Sequence, residues 1–212
     1  MPFSNNGRDE IVIVGGDCLT GHDPKTGKEL WRWGTWNPSR IGHWRLVPSP
    51  VAGKGVLLAC GPKGAPVFAI KAGAKGDVSE DKSSIVWHSE GRRDQVTSDV
   101  STPLFYQGNF YVLYGEGRDK ILSCVDPKSG KAKWATDLES RSLFRGSPTG
   151  ADGKLYVQNH AGTVHVIDAK SGKVLHKTNM GEPGDDQTRA TIAVAHGNLF
   201  IRTNSRLYCI GS

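Results

Sequence analysis

LSCVDPKSGKAKW, Leu122–Trp134, is the stretch on which the fold turns. Leu122–Val125 is an apolar run of strand length, and the five residues after it are turn formers. Asp126 can accept backbone N–H bonds, Pro127 presets φ for the next residue, and Gly130 takes a left-handed conformation that a side chain would penalise. The chain then runs out along a second strand to Trp134. LTGHDPKTGKELW (Leu19–Trp31) and VHVIDAKSGKVLH (Val164–His176) overlie this segment without a gap. Two degenerate copies follow the same scheme: VFAIKAGAKG from Val67, whose tryptophan is delayed to Trp87 by an insertion, and LYCIG at Leu207. The marker position falls at Asp23, Lys71, Asp126, Asp168 and Gly211, about 45 residues apart, a period diagnostic of a repeat architecture.

Upstream of each marker stands a second pattern, a short strand, a Gly turn and an apolar strand: SPVAGKGVLLAC from Ser49, TPLFYQGNFYVLY from Thr102, SPTGADGKLYVQ from Ser147 and TIAVAHGNLFIR from Thr191. Each unit therefore predicts four short antiparallel strands, with no sustained helical period anywhere. Such a unit cannot bury both its faces alone, and the radial solution for this repeat size is an all-β propeller of four-stranded blades. The predicted units are 10–36, 45–90, 97–139, 144–180 and 188–212, within one partial propeller domain spanning 1–212. The first unit is expected to lack its innermost strand and the last its outermost. That makes about eighteen strands, an arc of about four and a half blades of a seven- or eight-bladed ring. Open blade faces at the two ends predict self-association of the chain alone.

Composition agrees with a turn-rich globular protein. Glycines number 27 and prolines 11 of 212 residues, well above ordinary usage and without a collagen period. The net charge of +6 is dispersed, a weak pull on anionic partners, and no nucleic-acid partner is expected. No run of about 18 apolar residues is present, so no membrane span is expected, and MPFSNNGRDE has no signal-peptide pattern. Cys18, Cys60, Cys124 and Cys209 form no CxxC pair.

The pattern of an Asp-x-Lys-Ser/Thr-Gly-Lys turn followed by Trp, after a Gly-Asn-x-Tyr-Val type strand, resembles the PQQ-repeat or quinoprotein-like β-propeller superfamily over nearly the whole chain. Its members include quinoprotein alcohol dehydrogenases and a lipoprotein of the outer-membrane β-barrel assembly machinery. The resemblance implies a bacterial periplasmic or other extracytoplasmic setting, with any leader coming from sequence upstream. Fold alone does not supply activity. The dehydrogenase branch implies vicinal cysteines over pyrroloquinoline quinone, an Asp base, and Glu and Asn ligands to calcium. The chain has no adjacent cysteines, and Cys124 and Cys209 fall on a small or apolar repeat position shared with Gly21, Ala69 and Val166, as buried core thiols would. No catalytic residue, metal site or cofactor is assigned; quinone with calcium belongs to the alternative that the chain is a fragment of such a dehydrogenase.

The remaining residues divide into a structural motif and two candidate surfaces. Asp23, Gly27, Trp31, Asp126, Gly130, Trp134, Asp168 and Gly172 belong to the blade motif. The three aspartates are expected as turn residues, and Trp31 and Trp134 as wedges between neighbouring sheets. The loops leading into successive units carry His43, Arg45, Arg92, Arg93, Arg145 and Arg189, with Arg145 and Arg189 at the same repeat offset. His43, Arg45, Arg145 and Arg189 are expected to gather at one channel mouth and attract a small anionic ligand or an acidic protein partner. Trp33, Trp36 and Trp44 lie in one loop and suggest either a glycan or peptide contact surface or packing between the first two sheets. A Gly-Glu-Gly at Gly115–Gly117 lacks the helix that a phosphate loop needs. The expected function is a non-catalytic binding or interaction scaffold.

Overall fold

The computed structural model describes residues 1–34, 36–37, 41–43, 46–61 and 63–211. They form five sheets in chain order, antiparallel throughout except for one short strand added at the edge of the first. The first contains β1 (Pro2–Asn5), β2 (Arg8–Val14), β3 (Cys18–His22) and β4 (Glu29–Gly34), and the second β5 (Val51–Gly53), β6 (Val56–Cys60), β7 (Val67–Lys71) and β9 (Ile85–His88). Between β7 and β9 the insertion supplies β8 (Gly76–Asp77), which crosses back to pair in parallel with the outer edge of β4. The third sheet is β10 (Leu104–Tyr106), β11 (Asn109–Tyr114), β12 (Ile121–Val125) and β13 (Ala132–Asp137). The fourth is β14 (Thr149–Ala151), β15 (Lys154–Gln158), β16 (Thr163–Asp168) and β17 (Val174–Asn179). The last holds β18 (Ala193–Ala195), β19 (Asn198–Arg202) and β20 (Leu207–Ile210).

One expectation is corrected at the amino terminus. Pro2–Asn5 is an innermost strand paired with Arg8–Ile11, so the first sheet is complete and begins before residue 10. The shortness of this strand concealed it: Phe3 is its one large apolar side chain, which packs against the first core, and Ser4 and Asn5 break any alternating apolar pattern. Its backbone ladder turns on Asn6 and Gly7, both at positive φ, as a tight hairpin requires.

Alternation along the strands explains why the sheets stack. Leu57 and Ala59 face Val12, Leu19 and Trp33 of the first sheet, while Val56, Leu58 and Cys60 on the opposite face meet Phe110 and Val112 of the third. Tyr111 and Leu113, the alternate residues of β11, meet Leu155 and Val157 of the fourth, and Tyr156 meets Ile192 and Ile201 of the fifth. Each strand thus feeds two cores, the two-sided burial a propeller blade needs. The innermost strands touch in sequence, β5 with β10, β10 with β14 and β14 with β18, which gives the radial arrangement.

The turns behave as their chemistry dictates. Asp126 Oδ1 accepts from the amides of Lys128 and Ser129 at 3.0 Å each, and Asp23 and Asp168 make the corresponding bonds to Thr26 and Ser171. Hydrogen bonding holds all three carboxyls below the ordinary Asp range, chiefly the Thr26 and Ser129 amides at Asp23 and Asp126 and the Ser171 hydroxyl at Asp168. Every full sheet shifts register at the same place, after Gly21, Ala69, Cys124 and Val166, opposite Trp31, Trp87, Trp134 and His176. Trp87 reaches across to the next sheet, where its indole N–H donates to Pro127 O at 2.8 Å. Trp134 rests over Gly172 in the same manner but is half-buried, beside Tyr111. Trp31 is 1 % exposed and instead folds across Gly21 to donate to the Glu10 carboxylate.

A second correction concerns Cys209. Cys124 is buried, as is Cys60, whose thiol burial pushes up to about 12, but Cys209 is exposed. No described strand lies beyond β20, and Leu207, Ile210 and Val194 on this sheet are exposed as well, as are Ile11 and Ile13 on the first.

His165 has no exposed surface and lies edge-on to Phe144. Burial, aided by the nearby Lys177 charge, depresses its pKa from 6.5 to about 4. The protonated form is therefore favoured in the unfolded chain, so this residue's contribution to stability is full above pH 6.5 and declines as pH falls toward 4. Wild type should lose up to about 3 kcal/mol more than a His165→Phe variant between pH 7 and pH 4, at about 1.4 kcal/mol per pH unit. Urea titrations at the two pH values check this, and parallel losses would refute it.

Candidate functional site: the loop face of the sheets

Antiparallel order fixes which loops share an end. The β2–β3 type loops and the loops that lead into each new sheet lie at one end of the blades, while the Gly hairpins and the Asp-x-Lys-Ser-Gly turns lie at the other. Arg92, Arg93, Arg145 and Arg189 therefore belong to the first end, together with Arg118, Arg202 and Arg206.

Two of them converge. Arg145, half-buried, pairs with Glu116 through Nε to Oε1 at 2.8 Å. His160 sits beside them at 8 % exposure, its backbone N–H donating to Leu143 O at 2.8 Å and its carbonyl accepting from the Thr188 N–H at 3.0 Å. Burial first, then the positive charges of Arg145 and Arg189, push the imidazole below its ordinary pKa, so it stays neutral at pH 7. Its Nε2 is buried with no hydrogen-bond partner among the described residues. Arg189 is exposed and lines a cleft of about 380 Å³ with Arg202, Thr188, Thr203 and Asn204. The cleft thus offers two guanidiniums and several neutral donors to an anion.

His43 is exposed, and no described contact ties it to this cluster; Arg45 and Trp44 lie outside the described residues. Trp33 and Trp36 do not form a contact surface: they are 3 % and 7 % exposed. Trp33 packs against Trp36 and against Phe68 of the second sheet, with ring centroids 5.5 and 5.1 Å apart. The alternative of packing between the first two sheets therefore holds for this pair, because the apolar face of the second sheet leaves no other cover for them.

A larger cleft, of about 530 Å³, opens at the same end of the third sheet. Tyr114, the last residue of β11, forms part of its lining with Arg92, Gln95, Thr97, Arg118 and Asp119. The Arg92 guanidinium lies over the Tyr114 ring, 5.3 Å from its centroid, a cation–π distance. Burial raises the Tyr114 pKa, so the phenol is protonated at neutral pH. Sequence reasoning singled out neither Tyr114, Glu116 nor His160. The first two flank or belong to the Gly-Glu-Gly, and His160 occupies the repeat position of Gly115, where an imidazole in place of glycine was the available signal.

The residues present do not fit a quinone-and-calcium centre. Cys18, Cys60, Cys124 and Cys209 are free and lie on four different sheets, and among the described residues no group of three or more His, Cys, Asp or Glu is placed to hold a metal ion. No helix among the described residues is long and apolar enough to cross a membrane.

Comparison with known proteins agrees with this architecture. Residues 15–211 match the family described as outer membrane protein assembly factor BamB. No curated protein matches by sequence. Among solved structures, BamB from Moraxella catarrhalis aligns with a TM-score of 0.67 at 13 % identity, over 97 % of this chain and 55 % of that one. Quinohemoprotein alcohol dehydrogenase from Comamonas testosteroni aligns at 0.73 and 14 %, over 100 % and 41 %, and a europium-containing methanol dehydrogenase at 0.68 and 11 %, over 95 % and 46 %. The chain spans about half the length of these relatives, and identities this low show the fold alone.

Proposed function

Since the chain belongs to the PQQ-repeat propeller family described as outer membrane protein assembly factor BamB, we propose that it is a non-catalytic binding propeller that holds an acidic protein segment on its loop face, in an extracytoplasmic compartment. The observation that carries this reading is the open cleft lined by Arg189 and Arg202, held beside His160 by the Thr188 N–H bond to the His160 carbonyl; the charges of Arg145 and Arg189 reach that imidazole against those of Glu116 and Asp186. Glu116 neutralises only Arg145. Arg189 and Arg202 share an open cleft and form no ion pair among the described residues, so an incoming carboxylate would find donors that are already placed. Attraction of this kind steers association and weakens with salt.

Hexaglutamate peptide is a suitable probe. Its affinity should fall as sodium chloride rises, and an Arg145→Gln/Arg189→Gln variant should bind at least about tenfold more weakly. Lys128→Gln/Lys170→Gln, on the opposite end of the blades, should bind as wild type does. Salt-insensitive binding, or an equal loss from the two double variants, would defeat the assignment.

A further inference from the structure

The cleft at the end of the third sheet differs in chemistry from the basic cluster. Its lining brings together two arginines, Arg92 and Arg118, and two aspartates, Asp119 and Asp137, with Tyr114, Gly117, Ile121 and Ala135. Neither Arg118 nor Asp119 is ion-paired with any described residue. Tyr114 is 7 % exposed, and its hydroxyl makes no hydrogen bond of normal geometry to a described residue. A buried hydroxyl left in that state costs free energy, and native proteins rarely leave one without a partner. The hydroxyl lies beneath Gly117, where an added Cβ would come within 3.2 Å of it.

The backbone on the other wall is also held out of its ordinary range. Gln95 has φ of 62°, and its carbonyl is fastened by Ser123 Oγ at 2.7 Å. Non-glycine residues kept in the left-handed region cluster at ligand clamps. Thr97 Oγ1 is committed to Ala65 O at 2.8 Å, one Arg92 nitrogen to Lys63 O at 3.2 Å and one Asp137 oxygen to the Glu139 N–H at 2.8 Å, which leaves the Gln95 amide, the Tyr114 hydroxyl, Arg118, Asp119 and the remaining polar atoms of Arg92 and Asp137 for a guest.

We propose that this cleft binds a short zwitterionic peptide, its terminal carboxylate received by Arg92, Arg118 and the Tyr114 hydroxyl and its terminal ammonium by Asp119 and Asp137. The volume suits a guest of a few residues and lies within the ordinary range of small-ligand pockets. Balanced charge favours a guest carrying both signs over a simple anion. A sugar is disfavoured because Tyr114 is the one aromatic ring in the lining and Arg92 already covers its face, so no stacking platform is open.

Trialanine with free termini, N-acetyl-trialanine amide and maltotriose distinguish the possibilities in calorimetric titrations of the whole chain. Free trialanine should bind in the millimolar range or tighter, and the capped peptide about tenfold more weakly, as expected when charged hydrogen bonds are lost. Tyr114→Phe removes only the unpartnered hydroxyl and keeps the ring under Arg92; it should weaken trialanine by about tenfold without lowering thermal stability. Asp119→Asn should weaken it too, whereas Arg145→Gln/Arg189→Gln should leave it unchanged. Absence of trialanine binding, equal binding of the capped peptide, preference for maltotriose, or full affinity in Tyr114→Phe would each overturn the proposal.

Discussion

Trp31→Ala should lower the unfolding free energy by about 3 to 5 kcal/mol, the range for deleting a large buried aromatic. The indole is 1 % exposed in the core between the first two sheets. A Cβ on Gly21 would lie 2.0 Å from its Nε1, so the ring occupies the space that glycine leaves free. Its N–H also serves Glu10, a carboxylate only 2 % exposed whose other partner is Arg8. The alanine variant therefore leaves a cavity and takes one of two donors from a buried charge, and both effects act in the same direction. Trp31→Phe restores much of the packing but not the donor, and should fall between the two. Guanidinium titrations decide the matter; a loss below about 1 kcal/mol for the alanine variant would place Trp31 at the surface and break the account of the first interface.

The second large effect discriminates among three copies of one turn. Gly27, Gly130 and Gly172 have nearly the same φ, 70°, 71° and 76°, so an alanine at any of them bears a left-handed strain of about 1 kcal/mol. Their surroundings differ. Nothing lies within 4 Å of a Cβ at Gly27, whereas a Cβ at Gly130 would meet the Trp87 ring at 2.5 Å and one at Gly172 the Trp134 ring at 2.6 Å. Gly130→Ala and Gly172→Ala should thus cost about 2 to 4 kcal/mol, strain plus overpacking, against about 1 kcal/mol for Gly27→Ala. Equal losses at the three sites in thermal or chemical unfolding would show that the tryptophans do not wedge onto the following turn.

These contrasts mark where residues alone sufficed. The Asp-x-Lys-Ser-Gly turn and the apolar strands around it are local devices: Asp126 and Gly130 select a hairpin from chemistry within five residues, and the copies at Asp23 and Asp168 repeat it. Period, strand number per unit and the radial class followed, because a sheet with apolar residues on both faces must be covered on both. Trp33 and Trp36 show the limit. Four tryptophans in one short stretch read equally as a surface or as a core until Phe68, from the next sheet, is seen against them. Strand β1 was hidden for the converse reason, since PFSN offers one large apolar residue, Phe3, too few to show a strand pattern, and is held by its ladder to β2 and by Phe3 against the first core.

The repeat, its turns and the all-β blades were legible in the order of residues, since each depends on interactions a few positions apart. Which copies of a shared motif bear weight was not legible there and came from the packing of whole sheets. Gly130 and Gly172 lie under tryptophans from the preceding sheets and Gly27 does not. The same packing chose which polar groups meet: Arg145, Glu116 and His160 come from three different loops, as do Arg92, Tyr114 and Asp137 from separate segments of the chain. Those groupings arise from the stacking of one sheet on the next, a long-range geometry that no local pattern of residues encodes.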